Sequence, residues 1–169
     1  MNNYTININR EGPLSTDDVI ASKNNGGNGA DGWAGYDYGV YQIYGPHILH
    51  RDGTLLYIGK APDQTFSERL KQHKACLLKD DNWSKIKIHL GRLENFPKYT
   101  KKDNWESWYG DVDIAEAILI YKYSPNYNFS LLGDYPDLHG FNEIKLAHRG
   151  NSGSLMPEDN APSDFKAKL

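Results

Sequence analysis

Two strand-like runs joined through an Asp-Gly pair, with a helix-start signal directly behind them, constrain this chain most. Residues 38–43, YGVYQI, alternate aromatic and aliphatic residues with smaller ones, as a strand does. Residues 55–59, LLYIG, form a second apolar run ending in glycine. Between them stand Arg51, Asp52 and Gly53, and Asp-Gly flanked by such runs predicts a hairpin. The connection is longer than the tightest hairpin, so a loop rather than a two-residue turn is expected. Thr65 and Glu68 then have the form of a capping box, the Thr accepting from a free backbone N–H while the Glu reaches back. The helix they open is expected to run to about residue 78. A hairpin followed by that helix aims Tyr41, Tyr57, Lys60, Arg69 and His73 at a common point.

The rest of the chain supplies fewer signals. Tyr4, Ile6 and Ile8 alternate in a way that predicts a short edge strand, and a brief helix capped by Thr16 follows. Residues 24–35, NNGGNGADGWAG, read as a flexible loop. They lack the preceding strand and the Gly-Lys-Ser/Thr ending of a nucleotide-binding loop. Ile86, Ile88 and Leu90 alternate with Lys85, Lys87 and His89, which predicts a third strand with one apolar and one polar face. Residues 92–110 read as a long polar and aromatic connection carrying Trp105 and Trp108, either partner-facing or a lid on the core. A second helix is expected over residues 112–123, capped by Asp111 or Asp113 and stopped by Pro125. Residues 140–148 are expected as a short helix or strand, and residues 151–169 as an irregular tail.

Glu116 lies on the otherwise apolar face of that second helix, beside Ala115 and Ala117. A carboxylate there must be paired or hold a cation, since an isolated one would suffer desolvation. Arg69 and His73 are four residues apart on one helix side, so their side chains can act at one place. Arginine offers a fork of donors for phosphate oxygens, and histidine is a credible proton acceptor near neutral pH.

Together these residues carry a resemblance. Gly39-Val40-Tyr41 and Tyr57-Ile58-Gly59 look like the two signature tripeptides of the GIY-YIG nuclease family. Arg69 and His73 resemble its helix-borne pair, and Glu116 with Pro125-Asn126-Tyr127-Asn128 resembles its Glu helix and closing Pro-x-x-Asn element. The resemblance covers roughly residues 36–130, with Val for Ile in the first tripeptide and longer spacings from Tyr41 to Tyr57 and from Tyr57 to Arg69. It implies a metal-dependent endonuclease acting on DNA, with Glu116 holding Mg²⁺ or Mn²⁺. It further implies that Tyr41 helps to activate water, that Tyr57 orients phosphate or water, and that Arg69 stabilises the pentavalent phosphate. Lys60 contacts phosphate or lowers a tyrosine pKa. Tyr41, Lys60 and His73 all stay open as proton acceptor, and Asn128 is favoured over Asn126 as the amide that holds a strand end, the phosphate or a tyrosine.

At 169 residues the chain is long enough for one domain. The expected fold is a small α/β (α+β) domain, a three-stranded, mainly antiparallel sheet flanked by helices. Residues 36–132 form its core, with an N-terminal extension over 1–35 and a C-terminal extension over 133–169. The single cysteine, Cys76, excludes an internal disulfide and a cysteine-based zinc cluster, and is expected as a small buried apolar residue. With no signal peptide and no spanning apolar run, a cytoplasmic protein without membrane association is expected. The net charge of −3 conceals a basic middle: residues 60–102 hold 11 Lys or Arg against five Asp or Glu, a balance of +6, and the remainder balances at −9. A phosphate-facing surface is compatible with that distribution. Site-specific, restriction-like cleavage, by a homodimer where both strands are cut, is the leading expectation. Its rivals are a structure-selective repair or recombination nickase and a catalytically idle nucleic-acid-binding module.

Overall fold

The structure, a computed structural model, describes residues 3–22, 38–47, 49, 51–76, 83–94, 103–129 and 143–161. The chain runs β1 (Asn3–Ser15), α1 (Thr16–Ser22), β2 (Gly39–His47), β3 (Arg51–Ala61), α2 (Phe66–Cys76), β4 (Lys87–Leu93), α3 (Asp103–Tyr123), β5 (Glu143–Gly150) and β6 (Glu158–Asn160). A 3₁₀ turn, Trp83–Lys85, precedes β4.

The small three-stranded sheet expected from sequence is incorrect. The described strands form one six-stranded mixed sheet, ordered β3-β2-β4-β1-β5-β6 and curled into a half-barrel. The three strands foreseen are its first three, paired antiparallel. The other half comes from the segments read as extensions. β1 is no edge strand: it runs antiparallel to β4 on one side and parallel to β5 on the other. Ile6 and Ile8, 2% and 0% exposed, supply its inward face. Pro13 sits where the β1–β4 register shifts, an irregularity that tolerates a missing N–H inside a sheet.

Several local expectations also need correction. β2 ends at His47 and β3 begins at Arg51, so Asp52-Gly53 lies inside β3 rather than in the connection. There the two residues stand opposite Pro46 alone, a bulge in which Gly53 takes a φ of 77°. The cap of α1 is Ser15, whose Oγ accepts from the Asp18 N–H at 3.0 Å, and Thr16 is buried. α3 begins at Asp103, nine residues before the expected start, so residues 103–110 of the connection read over residues 92–110 are its first turns. Asp111 and Asp113 lie inside that helix rather than at its cap; Asp111 Oδ2 accepts from the Tyr4 hydroxyl at 2.7 Å. Trp108 is core, 2% exposed. His89, expected on the polar face of its strand, is buried beneath Asn151, whose carbonyl oxygen lies 3.1 Å from its Nδ1. The start of the supposed tail is ordered, with Leu155 and Asp159 buried and β6 paired to β5. The glycine-rich residues 24–35 and the side chains of Cys76 and Trp105 lie outside what is described.

Two apolar layers sandwich the sheet. On one face Val40, Ile58, Ile8 and Ile144 pack against Trp108, Val112, Ala115 and Leu119, which recur every three or four residues along α3. On the other, Tyr41, Ile43, Leu56 and Ile88 pack against Val19 of α1 and Phe66 and Leu70 of α2. α2 opens with the foreseen capping box: Glu68 N–H donates to Thr65 Oγ1 at 3.3 Å and Thr65 N–H to Glu68 Oε2 at 3.1 Å. Ser67 then ties α2 to α1 by donating to the Ile20 carbonyl at 2.9 Å.

Candidate active site

The candidate residues gather around the outer strand β3, split between the two faces of the sheet. On the α2 face, pleating turns Tyr41 and Tyr57 the same way, because Tyr41 pairs with Gly59 and Ile43 with Tyr57. Their rings are diagonal neighbours, centroids 6.1 Å apart. Gly59 makes this possible: a Cβ there would lie 2.5 Å from the Tyr41 hydroxyl oxygen and 2.6 Å from the Tyr57 ring. The other signature glycine, Gly39, has a φ of 140° and backs onto the Gly91 carbonyl, where a Cβ would stand 2.3 Å from the oxygen. Both tripeptides therefore end or begin in glycine for steric reasons visible in this fold.

His73 approaches from α2, one turn beyond Arg69. Its Nε2 lies 2.5 Å from the Tyr41 hydroxyl, and its ring is 4.9 Å from that of Tyr57. Burial first, and then the Arg69 cation, push His73 down to about 4, so the imidazole is neutral at pH 7. In the tautomer protonated at Nδ1, the neutral Nε2 accepts the hydrogen bond of the Tyr41 hydroxyl. Burial raises Tyr41 far above the ordinary tyrosine value, and the neighbouring Tyr57 adds to this while Arg69 opposes it. Tyr57 is raised in the same sense, by burial and by the Glu116 carboxylate. The Arg69 guanidinium lies beside both hydroxyls; its Nη1 donates to Gln72 at 3.0 Å, and its buried Nε has no acceptor.

On the α3 face, Lys60 reaches two carboxylates, with Nζ 3.0 Å from Glu116 Oε2 and 2.9 Å from Asp113 Oδ1. Burial raises the Glu116 pKa and Lys60 only partly opposes it. Burial pulls Lys60 down, but the two carboxylates outweigh it and its pKa is raised. Lys60 is thus held as an ammonium, a form that cannot accept a proton. Asp113 was read from the sequence only as a candidate helix cap, although it stands three residues before Glu116, the spacing that brings helical side chains together.

Asn128 does not reach the tyrosine or arginine side chains. Its amide grips the backbone of Ile58, accepting from the N–H at 3.0 Å and donating to the carbonyl at 2.8 Å. With Tyr127 N–H donating to the Leu56 carbonyl at 2.8 Å, residues 127–128 cover the free edge of β3. Asn126 is exposed on the turn before it. The amide thus holds the β3 backbone within the strand, three residues before its end at Ala61.

Among the described residues no three His, Cys, Asp or Glu side chains converge as a metal cage. What Glu116 offers is one buried carboxylate already in contact with a cation, the Lys60 ammonium. That set fits Mg²⁺ or Mn²⁺ retaining most of its waters, and does not fit zinc. Among the described residues no helix is long and apolar enough to cross a membrane.

No protein-family model, no curated protein and no solved structure matches the chain.

Proposed function

We propose that this chain is a divalent-metal-dependent endonuclease that hydrolyses phosphodiester bonds in DNA. The observation that supports it most is the buried Tyr41–His73 hydrogen bond set beside the Arg69 guanidinium. A tyrosine donating to a neutral imidazole can take a proton from water as it passes its own proton on. As the water oxygen bonds to phosphorus, its proton goes to the Tyr41 oxygen and the Tyr41 proton to His73 Nε2. The bond from phosphorus to the leaving sugar oxygen breaks, and that oxygen takes a proton from solvent. Arg69 stands where charge accumulates on the non-bridging oxygens. Tyr57, raised and therefore neutral, is a hydrogen-bond donor at the same place. Glu116 would hold Mg²⁺ or Mn²⁺, which would supply Lewis-acid stabilisation of the developing charge.

A histidine at about 4 is a weak base at rest. Part of that depression comes from the Arg69 cation, and an anionic phosphodiester beside Arg69 cancels part of it. Substrate binding thus raises the basicity of the group that must accept the proton. Lys60 stays an ammonium facing the two carboxylates.

Incubation with supercoiled plasmid, in Mg²⁺, Mn²⁺ or EDTA and beside E116Q, tests this. Discrete fragments dependent on metal and on Glu116 fit site-specific, restriction-like cleavage, and open circles alone fit a nickase. Binding of plasmid, branched and single-stranded DNA without any cleavage overturns the enzyme in favour of an idle binding module. A twofold assembly is expected with the first outcome, and size-exclusion chromatography on the cognate duplex reports it.

A further inference from the structure

The two carboxylates that share Lys60 are unlike. The Glu116 side chain is 9% exposed and that of Asp113 57% exposed, yet the ammonium lies within 3.0 Å of both. A buried carboxylate needs a cation at hand, whereas an exposed one is satisfied by water. Any divalent cation arriving at Glu116 therefore meets an ammonium already in contact with it. Unless another acceptor held that ammonium, it would compete with the metal for one carboxylate.

We propose that Asp113 is a positioning residue that takes over Lys60 when a divalent cation binds Glu116. This rests on the metal-dependent reading above. Metal binding then trades one carboxylate–ammonium contact for a metal–carboxylate bond, while the second contact keeps the ammonium in place. Lys60 follows Gly59 directly on β3, so an ammonium anchored to Asp113 remains at the strand end that carries Tyr57. Without Asp113 the ammonium has Glu116 alone, and the metal must displace it outright.

Two other roles for Asp113, direct metal ligand or remote negative charge, also favour metal binding. They differ in their dependence on Lys60. Binding of Mn²⁺ alone to the full chain, followed by the paramagnetic signal of the free ion, separates them across D113N, K60M, K60M/D113N and E116Q, with K60Q in place of K60M should K60M fail to fold. The expectation is that D113N weakens Mn²⁺ binding about tenfold, the lower end of what residues supporting a metal ligand contribute. In the K60M background the same change has little effect, and K60M alone tightens binding. An equal loss from D113N in both backgrounds overturns the handover and makes Asp113 a ligand or a remote charge. No loss from D113N beside wild-type Lys60 overturns it too. Mn²⁺ binding undiminished in E116Q overturns the metal site itself, which is a different failure.

Discussion

Both backbone polar groups of Ile58 are held by one side chain, the amide of Asn128, at 3.0 and 2.8 Å. Ile58 lies between Tyr57 and Gly59, so this grip fixes the outer strand where the tyrosine leaves it. N128A is expected to cost about 1–3 kcal/mol, the range for leaving such groups without partners. Denaturant midpoints measure the loss, and cleavage should fall further than the lost stability explains as Tyr57 loses its mounting. A cleavage loss fully restored under stabilising conditions would contradict that second part.

Y41F removes the hydroxyl between water and His73 and leaves the ring. Cleavage is expected to drop about 10²- to 10⁴-fold, the usual span of general acid–base groups. The thermal midpoint should stay within a few degrees of the parent. H73Q tests the same relay from its far end, and Y41F/H73Q should lose no more than the worse single variant.

The ordinary histidine value is 6.5, and His73 sits at about 4 in the fold. The unfolded chain therefore binds the proton more readily, and the contribution from His73 is fully present above pH 6.5. It is lost as pH falls from 6.5 toward 4. Thermal midpoints of the parent and H73Q should differ most near pH 7 and converge near pH 4. Divergence on acidification would mean that His73 is charged in the native state.

G59A places a methyl against the Tyr41 hydroxyl and the Tyr57 ring. Overpacking of that kind costs about 1–3 kcal/mol, and here the atoms that must move are the reactive ones. Cleavage should be lost even at temperatures where circular dichroism shows the variant folded.

Asp159 is wholly buried in the far half of the sheet, although it lies in the stretch read from sequence as a tail. It accepts from His148 Nε2 at 3.1 Å and Tyr123 at 2.9 Å, and pairs with Lys122. Arg10 Nε in turn donates to His148 Nδ1 at 3.1 Å. D159A leaves three polar partners unmatched and is expected to cost about 3–5 kcal/mol, read by chemical denaturation.

What could be read from the sequence was local. The capping box at Thr65 and Glu68, the alternation at Ile86, Ile88 and Leu90, and the approach of Arg69 and His73 all depend on neighbours within a few residues. The sheet failed where pairing is distant. β5 pairs Ile144 with Tyr4 and Leu146 with Ile6, and nothing near residue 144 announces a parallel partner at residue 4. β6 is Glu-Asp-Asn, three polar residues that no strand propensity favours; Asp159 is held there by its buried partners. α3 was cut short because its first turns hold Asp, Asn, Glu and Gly, weak signals that Trp108 and Val112 override by packing. Asn128 was favoured over Asn126 from the sequence, and its amide is occupied by the backbone of Ile58, seventy residues away.

β1 lies between β4 and β5, and its residue Asn3 stands opposite Glu143. Such a strand cannot find its neighbours early. On the ribosome, the tyrosines, Arg69 and Glu116 are all synthesised well before β5 exists to close over β1. Long-range pairing of this kind makes for slow folding, so the sheet that carries the site should be complete only after β5 has been synthesised and has paired with β1.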